Sequence, residues 1–337
     1  MDVLRIGVLG SARITTTALL QPAASVPEVT VAAVGARDQA RAEVFAARHG
    51  IPVAYGSYED LLADPDIDAV YNPLPNSLHG PWTLRAIAAG KHVLCEKPFA
   101  SNAAEAARVA EAASASGLVA MEAMHYRYHP LIRQFRAVAR ELGPVRHIQC
   151  WTSFVIENPA DIRYDYNLGG GALMDGGCYA IDCLRLLGEG EPAVTAALAD
   201  PQGDPGDPSP GLPDLRRDLV DRAMAVRLAF RRGGTGWLES AFTRDGEFRA
   251  DVHVICRDGY AWVRNFIKAH EGRLVATRHG SVVADEFGGG ETTYVYQLRA
   301  FAAAITRGEP VPTSAENAVT TMQLIDDAYR AAGLPTR

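Results

Sequence analysis

No two of the five cysteines stand in C-x-x-C spacing; Cys95, Cys150, Cys178, Cys183 and Cys256 are scattered and odd in number. That pattern argues against a zinc site or a disulfide-stapled fold and predicts reduced, mostly buried thiols in a reducing compartment. No apolar run approaches the ~20 residues of a membrane helix. Met1-Asp2 leads straight into Val3-Leu4-Arg5-Ile6, without the charged leader or cleavage site of a signal peptide. A cytoplasmic protein with no membrane partner is the expectation. Positive charge is short as well: 33 basic against 40 acidic side chains leave −7, which gives no global attraction for nucleic acid. Internal repeats are absent. What remains is ordinary globular material, 48% hydrophobic and 22% charged over 337 residues, enough for about two domains at ~150 residues each.

The first third alternates strand and helix signals. Val3–Leu9, Val29–Val34, Ala69–Asn72, His92–Cys95 and Leu118–Ala123 read as strands. Thr17–Ala24, Asp38–His49, Ser77–Ala89 and Asn102–Ser116 read as helices, the last three closed by Gly50, Gly90 and Gly117. Ser57-x-x-Asp60 has the form of a capping box. Such alternation implies parallel βαβ units and an α/β dinucleotide-binding domain of the Rossmann type over residues 1–124. Past His125 the pattern changes. Pro130 opens a helix to Glu141, Val145–Ile156 is β-rich, and Gly169–Gly171 introduces a helical segment to Leu187. Between Ala193 and Phe287 follow strand-like runs such as Met224–Phe230, Gly236–Phe242 and Val252–Cys256, and two helices, Tyr294–Arg307 and Ser314–Ala332, finish the chain. Residues 125–337 are therefore expected to form an α+β domain with a large open, mostly antiparallel sheet, the last helix packing back on the first domain. Asp200–Pro213, with its repeated Pro, Gly and Asp, reads as a surface loop.

Gly10-Ser11-Ala12-Arg13-Ile14-Thr15 sits where a dinucleotide fold places its phosphate turn, between first strand and first helix. Ala12 and Thr15 occupy the second and third glycine positions of G-x-G-x-x-G, so on local sequence a plain strand-to-helix turn stays open. At the end of the second strand an NAD site normally puts a carboxylate for the ribose 2′-hydroxyl. Here Val34 is followed by Gly35, Ala36 and Arg37, with Arg41 one helical turn later. Two guanidiniums suit a 2′-phosphate and favour NADP(H) over NAD(H); the plain alternative is solvated charge on a helix. Asp38 either caps the following helix or is the ribose acid displaced by a few residues.

Cys95-Glu96-Lys97-Pro98 ends a strand, and in an open α/β sheet ligands lie beyond the carboxyl ends of the strands, which aims Lys97 at a site. Lys91-His92-Val93-Leu94-Cys95-Glu96-Lys97-Pro98, preceded by Leu74-Pro75-Asn76-Ser77-Leu78-His79 and followed by Leu168-Gly169-Gly170-Gly171-Ala172-Leu173-Met174-Asp175-Gly176-Gly177-Cys178-Tyr179, strongly resembles the glucose–fructose oxidoreductase/inositol dehydrogenase/MocA family. The resemblance spans nearly the whole chain. It implies Lys97 as the lysine of the EKP element and Tyr179 at the acid–base position, as in the branch of glucose–fructose oxidoreductase, D-xylose dehydrogenase and dimeric dihydrodiol dehydrogenase. It also implies that the cofactor lies along Gly10 to Ile14, Arg37, Arg41, Leu74, Pro75, Asn76, His79, Glu96 and Lys97. A homodimer or homotetramer through the C-terminal sheet is expected.

At ~100° per residue Asp175, Tyr179 and Asp182 share one helix face, and Met174, Cys178 and Ile181 an apolar one. A phenol has a pKa near ~10, and a neighbouring ammonium lowers it, so Lys97 beside Tyr179 would make a poised proton donor and acceptor. Asp175 would bond substrate hydroxyls or orient the lysine. Cys178 reads as core. His79 lies near the nicotinamide ribose or is a surface histidine opening a helix. His125-Tyr126-Arg127-Tyr128-His129 lacks ligand spacing for a metal and reads as a hinge with Arg127 near the substrate. Asp161, Arg163 and Tyr164 are either polyol contacts or loop residues. These residues point to an NADP(H)-dependent oxidoreductase acting on CH–OH groups of a small hydroxylated substrate. The alternatives are a glycoside-cleaving enzyme with a tightly held nicotinamide, and a non-catalytic nucleotide-binding protein.

Overall fold

The computed structural model describes residues 3–201, 219–243 and 246–337. In the first third the chain runs β1 (Leu4–Leu9), a π turn at Thr16–Leu20 leading into α1 (Gln21–Ala23), β2 (Val29–Gly35), α2 (Gln39–His49) and β3 (Val53–Tyr55). It continues through α3 (Tyr58–Ala63), β4 (Ala69–Asn72), α4 (His79–Ala88), β5 (His92–Cys95), α5 (Ala103–Ser116) and β6 (Ala120–Glu122). The six strands form one parallel sheet in the order β3-β2-β1-β4-β5-β6. Ile6, Val8, Leu9, Val70, Tyr71, Val93 and Leu94 are fully buried, as expected of strands covered on both faces. Helix starts follow the capping rule: Asp38 accepts from the Arg41 amide at 2.8 Å, Ser57 from Asp60 at 3.0 Å and Asn102 from Glu105 at 3.0 Å. Gly50 and Gly117, both at φ +68°, end α2 and α5 in the left-handed region. The first helix is not the regular one expected at Thr17–Ala24, since a π turn occupies its middle. β3 has three half-buried residues, too few for a period-2 pattern to register in sequence.

The second part contains α6 (Pro130–Glu141), β7 (Val145–Val155), α7 (Cys178–Leu187), β8 (Pro192–Pro201), β9 (Asp221–Phe230) and β10 (Thr235–Thr243). β11 (Arg249–Cys256), β12 (Gly259–Arg264), β13 (Arg273–Arg278), β14 (Ser281–Phe287), α8 (Thr293–Arg307) and α9 (Ala315–Ala331) complete it. The strands form an eight-stranded sheet, β14-β13-β12-β11-β7-β10-β9-β8, antiparallel except for the β7–β10 pair. Alternation assigns the faces: Ile148, Cys150, Val226, Leu228, Leu238, Val252 and Val254 are buried, whereas Gln149, Trp151, Trp237, His253 and Trp262 on the other face stay partly open. Of the loop expected at Asp200–Pro213, Asp200 and Pro201 end β8, and residues 202–213 lie outside the described residues.

The chain divides into two compact units, but not by a single cut. One comprises Met1–His125 with Tyr294–Thr320, the other Tyr126–Thr293 with Thr321–Arg337. The return of the chain to the first unit is built on backbone pairing. Ser314 bridges Met121 of β6 antiparallel, and the Glu122 amide donates to the Thr313 carbonyl at 2.8 Å. The Arg299 guanidinium reaches the Ser25 carbonyl at 3.2 Å.

Candidate active site

In the first unit the strand order reverses between β1 and β4, so loops leaving their carboxyl ends border the crevice where open α/β sheets bind ligands. After β1, Gly10 takes φ +88°, and a Cβ there would come within 3.0 Å of the Leu74 side chain from the loop after β4. Ser11 Oγ accepts from Arg41 Nε at 2.9 Å, which ties the phosphate-turn segment to the start of α2. Asp38 is the cap of α2. The sequence offered no motif for Tyr58, yet its hydroxyl lies 3.7 Å from the position of a Gly10 Cβ. Burial raises the Tyr58 pKa, and the charges of the exposed Arg37 and Arg41 oppose that rise. Only its position, directly after the Ser57 cap, could have marked it.

The loop after β4 is fixed by Asn72, whose amide donates to the His79 carbonyl at 3.1 Å and to Thr83 Oγ1 at 3.2 Å. Asn76 opens a half-buried 3-10 turn, Asn76–Leu78. His79 begins α4 but is buried, not a surface histidine. Its Nε2 lies 2.7 Å from the Leu74 carbonyl and its Nδ1 2.6 Å from the Pro98 carbonyl, so the ring spans the loops after β4 and β5. Two acceptors favour a ring protonated on both nitrogens, and burial favours the neutral one. Burial wins, and the pKa falls to about 4. After β5, buried Glu96 accepts from the Tyr71 hydroxyl at 2.7 Å, and from the Lys97 amide at 3.3 Å. Lys97 is half-buried, the Lys97–Pro98 bond is cis, and the lysine's charge acts with burial to lower the His79 pKa.

In the second unit the glycine triplet leads not into regular helix but into a π turn, Leu173–Gly177, continuous with α7. The face arithmetic for Asp175, Tyr179 and Asp182 assumed α-geometry throughout, and the wider turn alters it. Asp175 turns to Arg163, whose Nε donates to it at 2.9 Å while a terminal nitrogen meets Asp161 at 3.1 Å. The Asp175 carboxylate raises the pKa of Arg163 against its partial burial. Asp182 is wholly buried and accepts from the Tyr126 hydroxyl at 2.6 Å, with an Arg127 nitrogen at 3.4 Å. Tyr179 is 4% exposed, its ring edge-on to Tyr126 at 6.1 Å between centroids. Tyr164 is buried, packed with Phe242 and Ala172. Cys178 is buried, its thiol directed at the Asp175 carbonyl at 3.4 Å. In the 125–129 segment the His129 ring caps α6, accepting from the Leu131 amide at 3.2 Å. Among the described residues no group of His, Cys, Asp and Glu is disposed to hold a metal.

The His79 geometry generates a pH prediction. A buried histidine whose folded pKa is about 4 against 6.5 favours the neutral native state. Its contribution is therefore complete above pH ~6.5 and is lost, to about 3 kcal/mol, as pH falls toward 4. Urea unfolding followed across that range should show this slope. A His79→Gln variant, which does not titrate, should flatten it.

Comparison with known proteins agrees with this architecture. The family profile described as "Oxidoreductase family, NAD-binding Rossmann fold" matches residues 4–124, and the "GFO/IDH/MocA C-terminal domain" matches residues 133–262. The chain is 37% identical to D-xylose 1-dehydrogenase (NADP(+)) 2 of Haloferax volcanii, covering 97% of this chain and 96% of that protein. Among solved structures it is similar to a 3-ketoreductase from Actinomadura kijaniata in complex with NADP and TDP-benzene, at TM-score 0.84, 28% identity and 96% coverage of both chains. It is also similar to an aldose-aldose oxidoreductase from Caulobacter crescentus complexed with glycerol, at TM-score 0.86, 27% identity and 98% coverage of both. The chain belongs to the Gfo/Idh/MocA family of NAD(P)-dependent oxidoreductases.

Proposed function

We propose that the protein is an NADP(H)-dependent oxidoreductase that interconverts a secondary alcohol and a carbonyl on a sugar, polyol or cyclic diol, with Tyr179 as acid–base group assisted by the Lys97 ammonium. The observation that carries the reading is the buried Tyr179 phenol, four residues beyond an aspartate held by Arg163. A bound nicotinamide supplies the hydride acceptor. In the oxidative direction Tyr179, as phenolate, takes the hydroxyl proton of the substrate as hydride leaves the same carbon; in reduction the phenol returns it. An unperturbed phenol at ~10 is a poor match to neutral pH, and a cation that favours phenolate improves it. Asp175 and Arg163 together offer acceptor and donor atoms to neighbouring hydroxyls. Arg127, engaged with Asp182, completes the substrate side.

For the cofactor, residues 10–14 take the pyrophosphate at the glycine turn and Arg37 and Arg41 take the 2′-phosphate. Three features support NADP(H): Asp38 is spent as a helix cap, Arg41 is anchored to Ser11, and the D-xylose relative and the 3-ketoreductase complex both name NADP. Leu74, Pro75, Asn76, Glu96 and Lys97 face the nicotinamide end, and His79 holds their loops together. The partly open sheet face, carrying Trp151, Trp237 and Trp262, three of the four tryptophans, supports a homo-oligomer covered there by a second copy. Light scattering should then return a mass at least twice that of the chain.

The decisive experiment is a panel containing D-xylose and trans-1,2-dihydrobenzene-1,2-diol, read as NADPH formed, with NAD+ in parallel. Tyr179→Phe should lower kcat by roughly 10²- to 10⁴-fold while NADPH binding persists. Retained turnover in that variant would reject the assignment. Replacing Arg37 and Arg41 with alanine should raise KM for NADP+ about 10- to 100-fold and leave the rate with NAD+ nearly unchanged. Equal losses with both cofactors would remove the 2′-phosphate reading.

A further inference from the structure

We propose that Arg337 is a positioning residue for the Tyr179 site, gripping the glycine turn from which Asp175 and Tyr179 follow; the inference rests on the role proposed above for those two residues. Beyond Gly333, at φ +74°, the chain leaves α9 and brings the Arg337 side chain into the second unit, where it is 1% exposed. Its Nε donates to the Gly170 carbonyl at 2.7 Å, and its terminal nitrogens reach Asp221 at 3.0 Å and the Pro335 carbonyl at 2.8 Å. The guanidinium lies 4.1 Å from the Tyr329 ring centre and 5.0 Å from that of Tyr166, whose hydroxyl donates to the Thr336 carbonyl at 2.9 Å. None of these partners belongs to the proposed chemistry.

Asp221 carries the hold onward. One of its oxygens accepts from the Leu173 amide at 2.7 Å, the first residue of the π turn, and the other also accepts from the Tyr329 hydroxyl at 2.7 Å. A single ion pair therefore grips both ends of Gly170-Gly171-Ala172-Leu173. Between those ends Gly171 passes so close that a Cβ would lie 2.2 Å from Asp221 Oδ1, 2.6 Å from the Tyr329 hydroxyl and 3.0 Å from the Arg337 guanidinium. The Gly171 carbonyl accepts from the Asp175 amide at 3.0 Å, so the gripped turn also sets the backbone of the residue that meets Arg163. A buried ion pair adds little net stability over apolar groups of similar volume; what it supplies here is one geometry for the turn. Reacting groups lose rate steeply when displaced by an ångström, so the effect belongs in kcat.

The test uses Arg337→Gly and Arg337→Lys in the full chain. Hydrogen exchange comes first and needs no substrate: in Arg337→Gly, amide protection should fall across residues 170–177 while β1 and β5 keep theirs. Turnover of whichever of D-xylose or trans-1,2-dihydrobenzene-1,2-diol the parent protein oxidises should fall roughly 10- to 100-fold in kcat, with KM for NADP+ within about twofold of the parent. Millimolar guanidinium should recover part of that kcat, and lysine, which keeps the charge but not the fork, should fall between. Unchanged protection overturns the proposal. So does a kcat equal to the parent's, or a loss that guanidinium does not recover and that only follows the unfolded fraction. Tyr179→Phe measured alongside separates the two readings: full turnover there rejects the proposed function, while the exchange data still report on Arg337.

Discussion

A carboxylate removed from water must find donors in the protein, and Asp221 meets that demand with three from separate parts of the second unit. Burial pushes its pKa up, and the Arg337 charge, the Leu173 amide and the Tyr329 hydroxyl each pull it back. Left with fewer partners such a group costs several kcal/mol. The same requirement explains the chain around it. The π turn, α9 and the segment after α9 converge on the start of β9 because each brings one partner to its carboxylate. Gly171 follows as a steric consequence, since any side chain there would occupy the space of the carboxylate and the phenol. Gly170 obeys a similar limit against the Arg163 carbonyl, 2.4 Å from where its Cβ would stand. The glycine triplet is thus a packing solution before it is a functional motif.

The first unit rests on a different constraint. Parallel strands leave their carboxyl ends beside one another, and the reversal of order at β1 and β4 opens a crevice there. The loops around it must be stiff without being filled. Asn72 and His79 accomplish this through bonds to backbone and the neighbouring Thr83, stitching the loops after β4 and β5 from below. On the other side Arg41 is held by Ser11, so positive charge stands at the turn despite a chain that is −7 overall. A phosphate-bearing ligand needs that local sign, and the global one is irrelevant at distances beyond the screening length.

Strong periodicity made most elements legible. β4 and β5 lie at the residues expected, and α6 runs from Pro130 to Glu141 as its opening proline and apolar spacing indicate. Capping chemistry placed α2, α3 and α5 because an Asx or Ser oxygen and an amide three residues on are local facts. What escaped was nonlocal. The return to the first unit, expected of the last helix, falls instead on Tyr294–Thr320, through Thr313 and Ser314 meeting Met121 and Glu122, a pairing that no window of sequence contains. The burial of Tyr164, the place of Tyr58 beside Gly10 and the reach of Arg337 to Gly170 are of the same kind. The π turns escaped for another reason: one extra residue in a turn leaves the apolar pattern almost intact while rotating everything that precedes it.

That rotation bears on the charges around Tyr179. Carboxylates stand four residues before it and three after it, and a bare carboxylate near a phenol raises its pKa. The structure answers each with a guanidinium: Arg163 on Asp175 and Arg127 on Asp182. Asp175 lies in the π turn and meets Arg163, whereas Asp182, in regular helix, meets Tyr126 and Arg127. Each carboxylate is thus paired with a guanidinium, which damps its field on the surroundings. Two carboxylates can flank one phenol on this helix because each is answered by its own arginine, one drawn from the segment before the glycine triplet and the other from the segment before α6.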